Sequence, residues 1–290
     1  MTQNKLVRVT TALHTELWLL PPAVHKTLTD IVMAHAQGGK AEIEQHAKAM
    51  GMEAKPKRRE FEIYEKTAVI NVEGVIGRKF SESLYSSGVT SIDVLDRMLN
   101  TIEIDDQIDS VLLVFDSPGG LAQGVPEVAQ RIKALSDKKP VMAYIDGCCG
   151  SAAYWMASQC NAIYSMQSGD VGSVGAYIAI LDQSRAAEMA GLRMEVFKSG
   201  KHKGMGIPGT SLTDEQRALL QERVDKLGAN FRDTVKSTRK DVSQETMQGQ
   251  SFTAVDALEK KLIDSISDFG AALKDVATLA KNKNNKTAGR

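Results

Sequence analysis

Val111-Leu-Leu-Val-Phe115-Asp-Ser-Pro-Gly-Gly120 sets an unbroken run of five apolar residues directly against an acidic residue, a proline and two glycines. Five residues is strand length. A strand that is apolar at every position is buried on both faces, as strands of a parallel sheet are. Parallel strands need crossover connections, and the flanking sequence supplies them. Residues 92–102 carry helical spacing before the run and residues 125–135 after it, and Val141-Met-Ala-Tyr-Ile145 is the next strand. Upstream, Ala68-Val-Ile-Asn-Val72 reads as a strand ending at Gly74. Downstream come a helix over 151–158, a strand at Ala162-Ile-Tyr-Ser165, an apolar stretch over 174–181, a helix over 183–190 and a short strand at 194–197. Strand and helix in alternation specify an α/β fold with a largely parallel sheet and flanking helices. A long amphipathic helix follows from Thr213, opened by the capping-box pattern Thr213-Asp-Glu-Gln216. Two small closing helices are expected over 252–258 and 269–279.

The 290 residues are 42% hydrophobic and 25% charged, and 36 Lys and Arg balance 36 Asp and Glu. That is the composition of a globular chain with a sizeable core. Zero net charge gives no electrostatic reason to expect nucleic acid or an anionic membrane as partner. No window reaches the ~18 to 20 apolar residues of a membrane helix, so no membrane anchor is expected. The first residues read poorly as a secretory signal, because His14 and Glu16 interrupt the apolar stretch before Pro21-Pro22. Cys148, Cys149 and Cys160 cannot all pair within one chain and lack zinc-site spacing; they suit a reducing cytoplasm and read as small buried residues. Three units are expected: an N-terminal helical arm and linker over 1–60, with an apolar helix over 22–36; a catalytic α/β domain over 61–280; and a disordered basic tail over 281–290. Lys57 to Arg59, broken by Pro56 and followed by acidic residues, reads as solvated linker.

Three loops follow apolar strands, where open α/β sheets gather ligands. In Asp116-Ser-Pro-Gly-Gly120 the proline fixes a turn and the glycines free adjacent N–H groups, which at a helix start could hold an oxyanion; Ser-Pro-Gly-Gly is also an ordinary turn. Asp146-Gly-Cys-Cys-Gly-Ser-Ala-Ala-Tyr154 places Ser151 at a strand-to-helix junction among small residues, as a nucleophile or simply as an N-cap. Lys198-Ser-Gly-Lys-His-Lys-Gly204 brings candidate bases. His202 lies between two lysines without an acidic neighbour in sequence, so a Ser-His-Asp triad is poorly supported. A Ser-Lys pair needs only one desolvated amine: a solvated lysine is neutral about once in ~2,500 molecules at pH 7, and burial lowers its pKa by roughly 3 to 5 units. Residue types alone do not choose among Lys198, Lys201 and Lys203.

These segments together resemble the signal peptide peptidase A family of Ser/Lys proteases, and more closely its prophage members acting in head maturation. The resemblance runs from about Thr67 to Leu273 through five motifs in order: Asp116-Ser-Pro-Gly-Gly120; Gly150-Ser-Ala-Ala-Tyr154; Gly169-Asp-Val-Gly-Ser-Val-Gly175; Ser199-Gly-Lys-His-Lys-Gly204; and Gly249-Gln-Ser-Phe-Thr-Ala254 with Leu262-Ile-Asp264. Trp18-Leu-Leu-Pro21 also resembles the preface of prophage members. The resemblance implies a ClpP/crotonase-like fold, Ser151 as nucleophile, Lys203 as general base and Ser173 as the hydroxyl that holds the base. It implies an oxyanion hole from the Gly119/Gly120 turn with the Ala152 N–H as second donor. At the nucleophile, Gly150-Ser-Ala-Ala153 is bulkier than the family's usual Ala-Ser-Gly-Gly. It further implies no cofactor and no metal, a ring-shaped homo-oligomer whose sites combine residues of neighbouring protomers, and capsid or scaffold proteins as substrates in the cytoplasm or prohead. A signal-peptide-remnant peptidase, a non-catalytic assembly component and a crotonase-type acyl-CoA enzyme are the alternatives.

Overall fold

The structure is a computed structural model, and it describes residues 61–78 and 88–288 together with Trp18, Leu19, Lys26 and Thr29. The helix expected over 22–36 and the linker up to residue 60 lie almost wholly outside the described residues. In chain order the elements are β1 (Trp18–Leu19), β2 (Glu62–Tyr64), β3 (Thr67–Gly77), β4 (Val89–Ser91), α1 (Ile92–Ile104), β5 (Ser110–Leu121), α2 (Val125–Lys138), β6 (Val141–Gly150) and α3 (Ala152–Ala157). They continue with β7 (Ala162–Ser165), β8 (Asp170–Gly172), α4 (Ser184–Met189), α5 (Asp214–Thr238), β9 (Ser251–Thr253), α6 (Ala254–Glu259), β10 (Ser265–Ile266) and α7 (Phe269–Ala288).

The apolar run at Val111 to Phe115 is the centre of the sheet. Strand order is β10-β7-β6-β5-β3-β2, parallel throughout except for the antiparallel edge β2. All five residues of the run are buried, as expected for a strand covered on both sides. On one face, α1, α2, α3 and α5 close over Ile70, Leu113, Phe115 and Ile145; on the other, Ala272 and Val276 of α7 seal Val69, Leu112, Val114 and Tyr144. Helix α3 is buried at every residue, an all-apolar turn trapped between sheet and α5, where Trp155 stacks on Phe231 at 4.3 Å between ring centroids. The capping box at Thr213 forms with both of its hydrogen bonds.

Both central strands outlast their apolar runs. The ladder between β3 and β5 shifts register between Glu73 and Val75, and that between β5 and β6 shifts between Phe115 and Ser117. Such bulges bend and twist a strand. Past them, β3 takes β4 as a partner, β5 takes β1, and β6 takes β8, which β9 continues. The segments expected as loops, Asp116 to Gly120 and Asp146 to Gly150, are therefore extended strand ends, and α2 starts only at Val125, after Gly124 at φ 89°.

Three other expectations fail. Residues 174–181 and 194–197 are irregular apart from a single bridge at Tyr177, because β8 is already paired on both sides and the chain leaves the sheet after Ser173. Val174 still enters the core, with Ala176 packed beside it, but Leu181, Met194, Val196 and Phe197 are exposed. The helix expected over 252–258 is split: Phe252 pairs with Val171 in β9, and Thr253 caps α6 through its hydroxyl. The segment expected as a disordered tail is helical as far as Ala288, continuing α7 on a run of Lys, Asn and Ala without glycine or proline.

Candidate active site

Ser151 stands between the last residue of β6 and the first of α3, is 1% exposed, and has φ 52° and ψ −111°. For a side chain with a Cβ this backbone region costs of order 1–3 kcal/mol and persists only where the surroundings impose it. They do. The Ser151 N–H donates to the Gly172 carbonyl at 2.8 Å, and its carbonyl accepts from Trp155 N–H at 2.8 Å, fixing the residue between strand and helix. Ser151 is not acting as an N-cap: its side chain makes no capping hydrogen bond. A serine held on such a strand-to-helix turn stands at the helix end where negative charge is favoured, an arrangement that would suit a nucleophile.

Ser173 shares this peculiarity, at φ 53°. Gly150 pairs with Gly172, so the two serines follow paired residues on adjacent parallel strands, and the Ser173 N–H is tied to the Gln250 carbonyl at 2.7 Å. The turn segment with Gly119 lies on the other flank. A Cβ on Gly150 would stand 3.0 Å from the Pro118 carbonyl oxygen, so the two strand ends are packed backbone to backbone. The Gly119 N–H is 3.2 Å from Ser117 Oγ, which itself donates to the Gly74 carbonyl at 2.5 Å. Gly120 lies in ladders with Ile76 on one side and Leu19 on the other. These donors are thus more engaged than an open turn would leave them. Ala152, buried at the first position of α3, has an N–H for which the helix itself offers no acceptor.

Lys203 is exposed on an irregular turn within residues 198–210. Among the described residues no hydrogen bond joins it to Ser151. Lys198 donates to the Lys201 carbonyl at 3.0 Å and Lys201 pairs with Glu215. The structure thus gathers Ser151, Ser173, Ala152, Gly119 and Gly120 around the ends of three neighbouring strands, β5, β6 and β8, and shows no hydrogen bond from Lys203 to Ser151 among the described residues. His202 Nε2 lies 3.9 Å from Glu215 Oε1.

The two thiols beside Ser151 are poor competitors for its role. Burial, with Asp170 and Asp116 adding to it, pushes Cys148 up to about 11. Burial also drives Cys149 well above an ordinary thiol. Both stay protonated at neutral pH and are inert as nucleophiles. Sequence reasoning missed two supports of the site. The Asp116 carboxylate accepts from the Cys148 N–H at 3.1 Å, and a Cβ on Gly147 would sit 2.5 Å from it. Ser117 fastens the bend of β5 to Gly74. Both residues lie in the quoted motif, but their roles depend on a strand that the sequence reads as a turn.

Residues 133–283, just over half of the chain, match the family described as Peptidase family S49. The chain belongs to peptidase family S49. That is a family of serine-type peptidases, and its matched region contains Ser151, Ser173 and Lys203. Similar proteins of this S49 chain include head-tail preconnector protein GP5 of Enterobacteria phage P21, 30% identical over 72% of this chain and 40% of that protein. Capsid assembly protease C of Escherichia phage lambda is 30% identical over 58% of this chain and 38% of that one. Serine protease SPPA, chloroplastic, of Arabidopsis thaliana is 27% identical over 75% and 32% respectively. The S49 chain thus spans roughly a third to two fifths of the length of these relatives. Among solved structures, a mutant ClpP1 from Listeria monocytogenes superposes with a TM-score of 0.46 at 11% identity, covering 71% of this chain and 94% of that one. Among the described residues no helix is long and apolar enough to cross a membrane, and no cluster of metal-ligating side chains occurs.

Proposed function

We propose that the chain is a serine endopeptidase that uses Ser151 as nucleophile and Lys203 as general base, and that it processes capsid or scaffold proteins during phage head maturation in the host cytoplasm. The observation that carries this reading is the strained, buried backbone of Ser151 at the strand-to-helix junction of an S49 chain. The substrate class is suggested by what two similar phage proteins are called, a capsid assembly protease and a head-tail preconnector.

In this mechanism a neutral lysine takes the Ser151 hydroxyl proton as the oxygen attacks the scissile carbonyl. The Ala152 N–H and the Gly119/Gly120 segment stabilise the oxyanion, the amine leaves with the proton, and lysine-activated water releases the acyl group. Ser173, one strand over, would orient the amine. An exposed ammonium is a poor base, so Lys203 must be desolvated to serve. The segment that carries it exposes Leu181, Met189, Leu192, Met194 and Phe197, the last at 94%. A second copy of the chain docking on this apolar surface would bury it and bring Lys203 of one protomer to Ser151 of the next. Large apolar side chains exposed together in one segment are what protein association covers.

The test is cleavage of co-expressed capsid and scaffold proteins, followed by mass spectrometry, by wild type, Ser151→Ala, Lys203→Ala and an equimolar mixture of the two variants. Each variant alone is expected to be inactive and the mixture to regain activity. Unchanged cleavage by both variants refutes the pair; an inactive mixture refutes its sharing between protomers.

A further inference from the structure

Pairing between β5 and β6 ends at Ser117 and Cys149, so the last residues of β5 have an edge that β6 no longer covers. That edge is taken. Trp18 and Leu19, from more than forty residues before the sheet begins, lie antiparallel along it, Trp18 opposite Leu121 and Leu19 opposite Gly120. Ile76 of β3 holds the other side of Gly120. The occupied stretch begins one residue past Gly119, and the Pro118 carbonyl lies against Gly150, the residue before Ser151. The edge therefore passes beside the candidate nucleophile. Past Leu20, Pro21 and Pro22 have no N–H to donate to a ladder.

We infer that Trp18–Leu19 is a resident occupant, from within the chain, of the edge of β5 at Gly120 and Leu121, and that it competes there with an extended substrate. The inference rests on reading Ser151 as the nucleophile of a peptidase. Such an enzyme must present an extended substrate backbone to its nucleophile, and a strand edge does so by adding the peptide to the sheet. One edge holds one strand, so β1 and substrate exclude each other there. A tethered occupant competes at an effective concentration in the millimolar range. Among the described residues this ladder holds two pairs, which a longer peptide with more backbone groups to pair can displace. The N-terminal segment thereby sets a threshold that favours long unfolded segments over short peptides.

The experiment uses the full chain, Leu19→Pro and Trp18→Pro, each with and without a synthetic peptide of residues 13–24. Consecutive residues of an antiparallel strand face their N–H groups to opposite sides, so one of the two prolines removes a ladder N–H, and neither touches Gly120. Hydrogen exchange is read on the segment 119–123, and KM and kcat on a short fluorogenic peptide. The expected result is exchange faster by roughly tenfold in the variant that loses the ladder N–H, KM lower by a similar factor with kcat unchanged, and both effects reversed by the added peptide. Unchanged exchange in both proline variants overturns the inference whatever the activity. Faster exchange with an unmoved KM also overturns it, because substrate then does not use this edge. Faster exchange reversed by the added peptide, with no cleavage of either the fluorogenic peptide or unfolded casein in any form, upholds the occupied edge and refutes Ser151 as the nucleophile.

Discussion

Replacing Ser151 by glycine should cost the protein its chemistry and yet stabilise it relative to alanine at the same place. Both replacements remove the hydroxyl, so they differ only in the Cβ. At an ordinary buried site, alanine to glycine loses about 0.8 kcal/mol of methyl burial and about 0.5–1 kcal/mol of backbone entropy. At φ 52° and ψ −111°, it also relieves strain of order 1–3 kcal/mol. Taking about 2 kcal/mol for the strain, glycine comes out ahead by roughly 0.5 kcal/mol, or about 1–2 °C in Tm for a domain of this size. The internal control is Ala153→Gly, two residues on in α3, buried and helical. There the full loss of about 1.5–2 kcal/mol should appear, from lost helix propensity and lost burial. Urea unfolding followed by circular dichroism reads both, and the two positions should differ by about 2 kcal/mol in their response to the same atomic change. If Ser151→Gly lies below Ser151→Ala by as much as Ala153→Gly lies below wild type, Ser151 is not strained and the structural argument for it as nucleophile collapses.

Gly120→Ala would place a Cβ 1.9 Å from the Ile76 carbonyl oxygen and 2.6 Å from the Ile76 nitrogen, backbone atoms that cannot yield cheaply. We expect a loss of about 3 kcal/mol or more in urea unfolding, and a variant of wild-type stability would show that the two strands are not this close. Cys148, pushed up to about 11 from an ordinary 9.0, should carry roughly a hundredfold less thiolate at pH 8 than a free thiol and alkylate correspondingly slowly. Its alkylation rate should rise about tenfold per pH unit between pH 8 and 10; a flat profile would count against the burial that protects it. Phe197→Asp, at a side chain 94% exposed, should shift unfolding by no more than about 0.5 kcal/mol. It should nevertheless abolish self-association in sedimentation and peptidase activity with it, and a fully active monomer would remove the case for a shared site.

The central parallel strands, their crossover helices and the position of Ser151 were legible in the sequence, because each rests on local pattern. Five apolar residues in a row, between helical patterns and rich in β-branched residues, fit a doubly buried strand, and a serine between a glycine and two alanines fits a strand-to-helix junction. The segments over 174–181 and 194–197 carried the same apolar signal and were misread, since composition does not say whether an apolar side chain faces a core or an unmet partner. The tail to Ala288 was misread in the opposite sense: charge and asparagine content suggested disorder, while α7 had only to continue a helix already docked on the sheet.

The sequence by itself determined the α/β class, the order of the strands along the chain and the residue types able to do the chemistry, for these follow from periodicity over a few neighbouring positions. Only the tertiary structure decided that the Asp116 to Gly120 segment is a bent strand end and not a turn, because bulges arise from the mismatch between paired strands. It alone set Ser151 at a positive φ, which takes the hydrogen bond to Gly172, a partner twenty-one positions on. It alone brought Trp18 and Leu19 onto Gly120, across about a hundred residues of chain. Contacts over such separations leave no local pattern, since each half is an ordinary apolar or glycine-rich stretch until the fold brings the other half beside it.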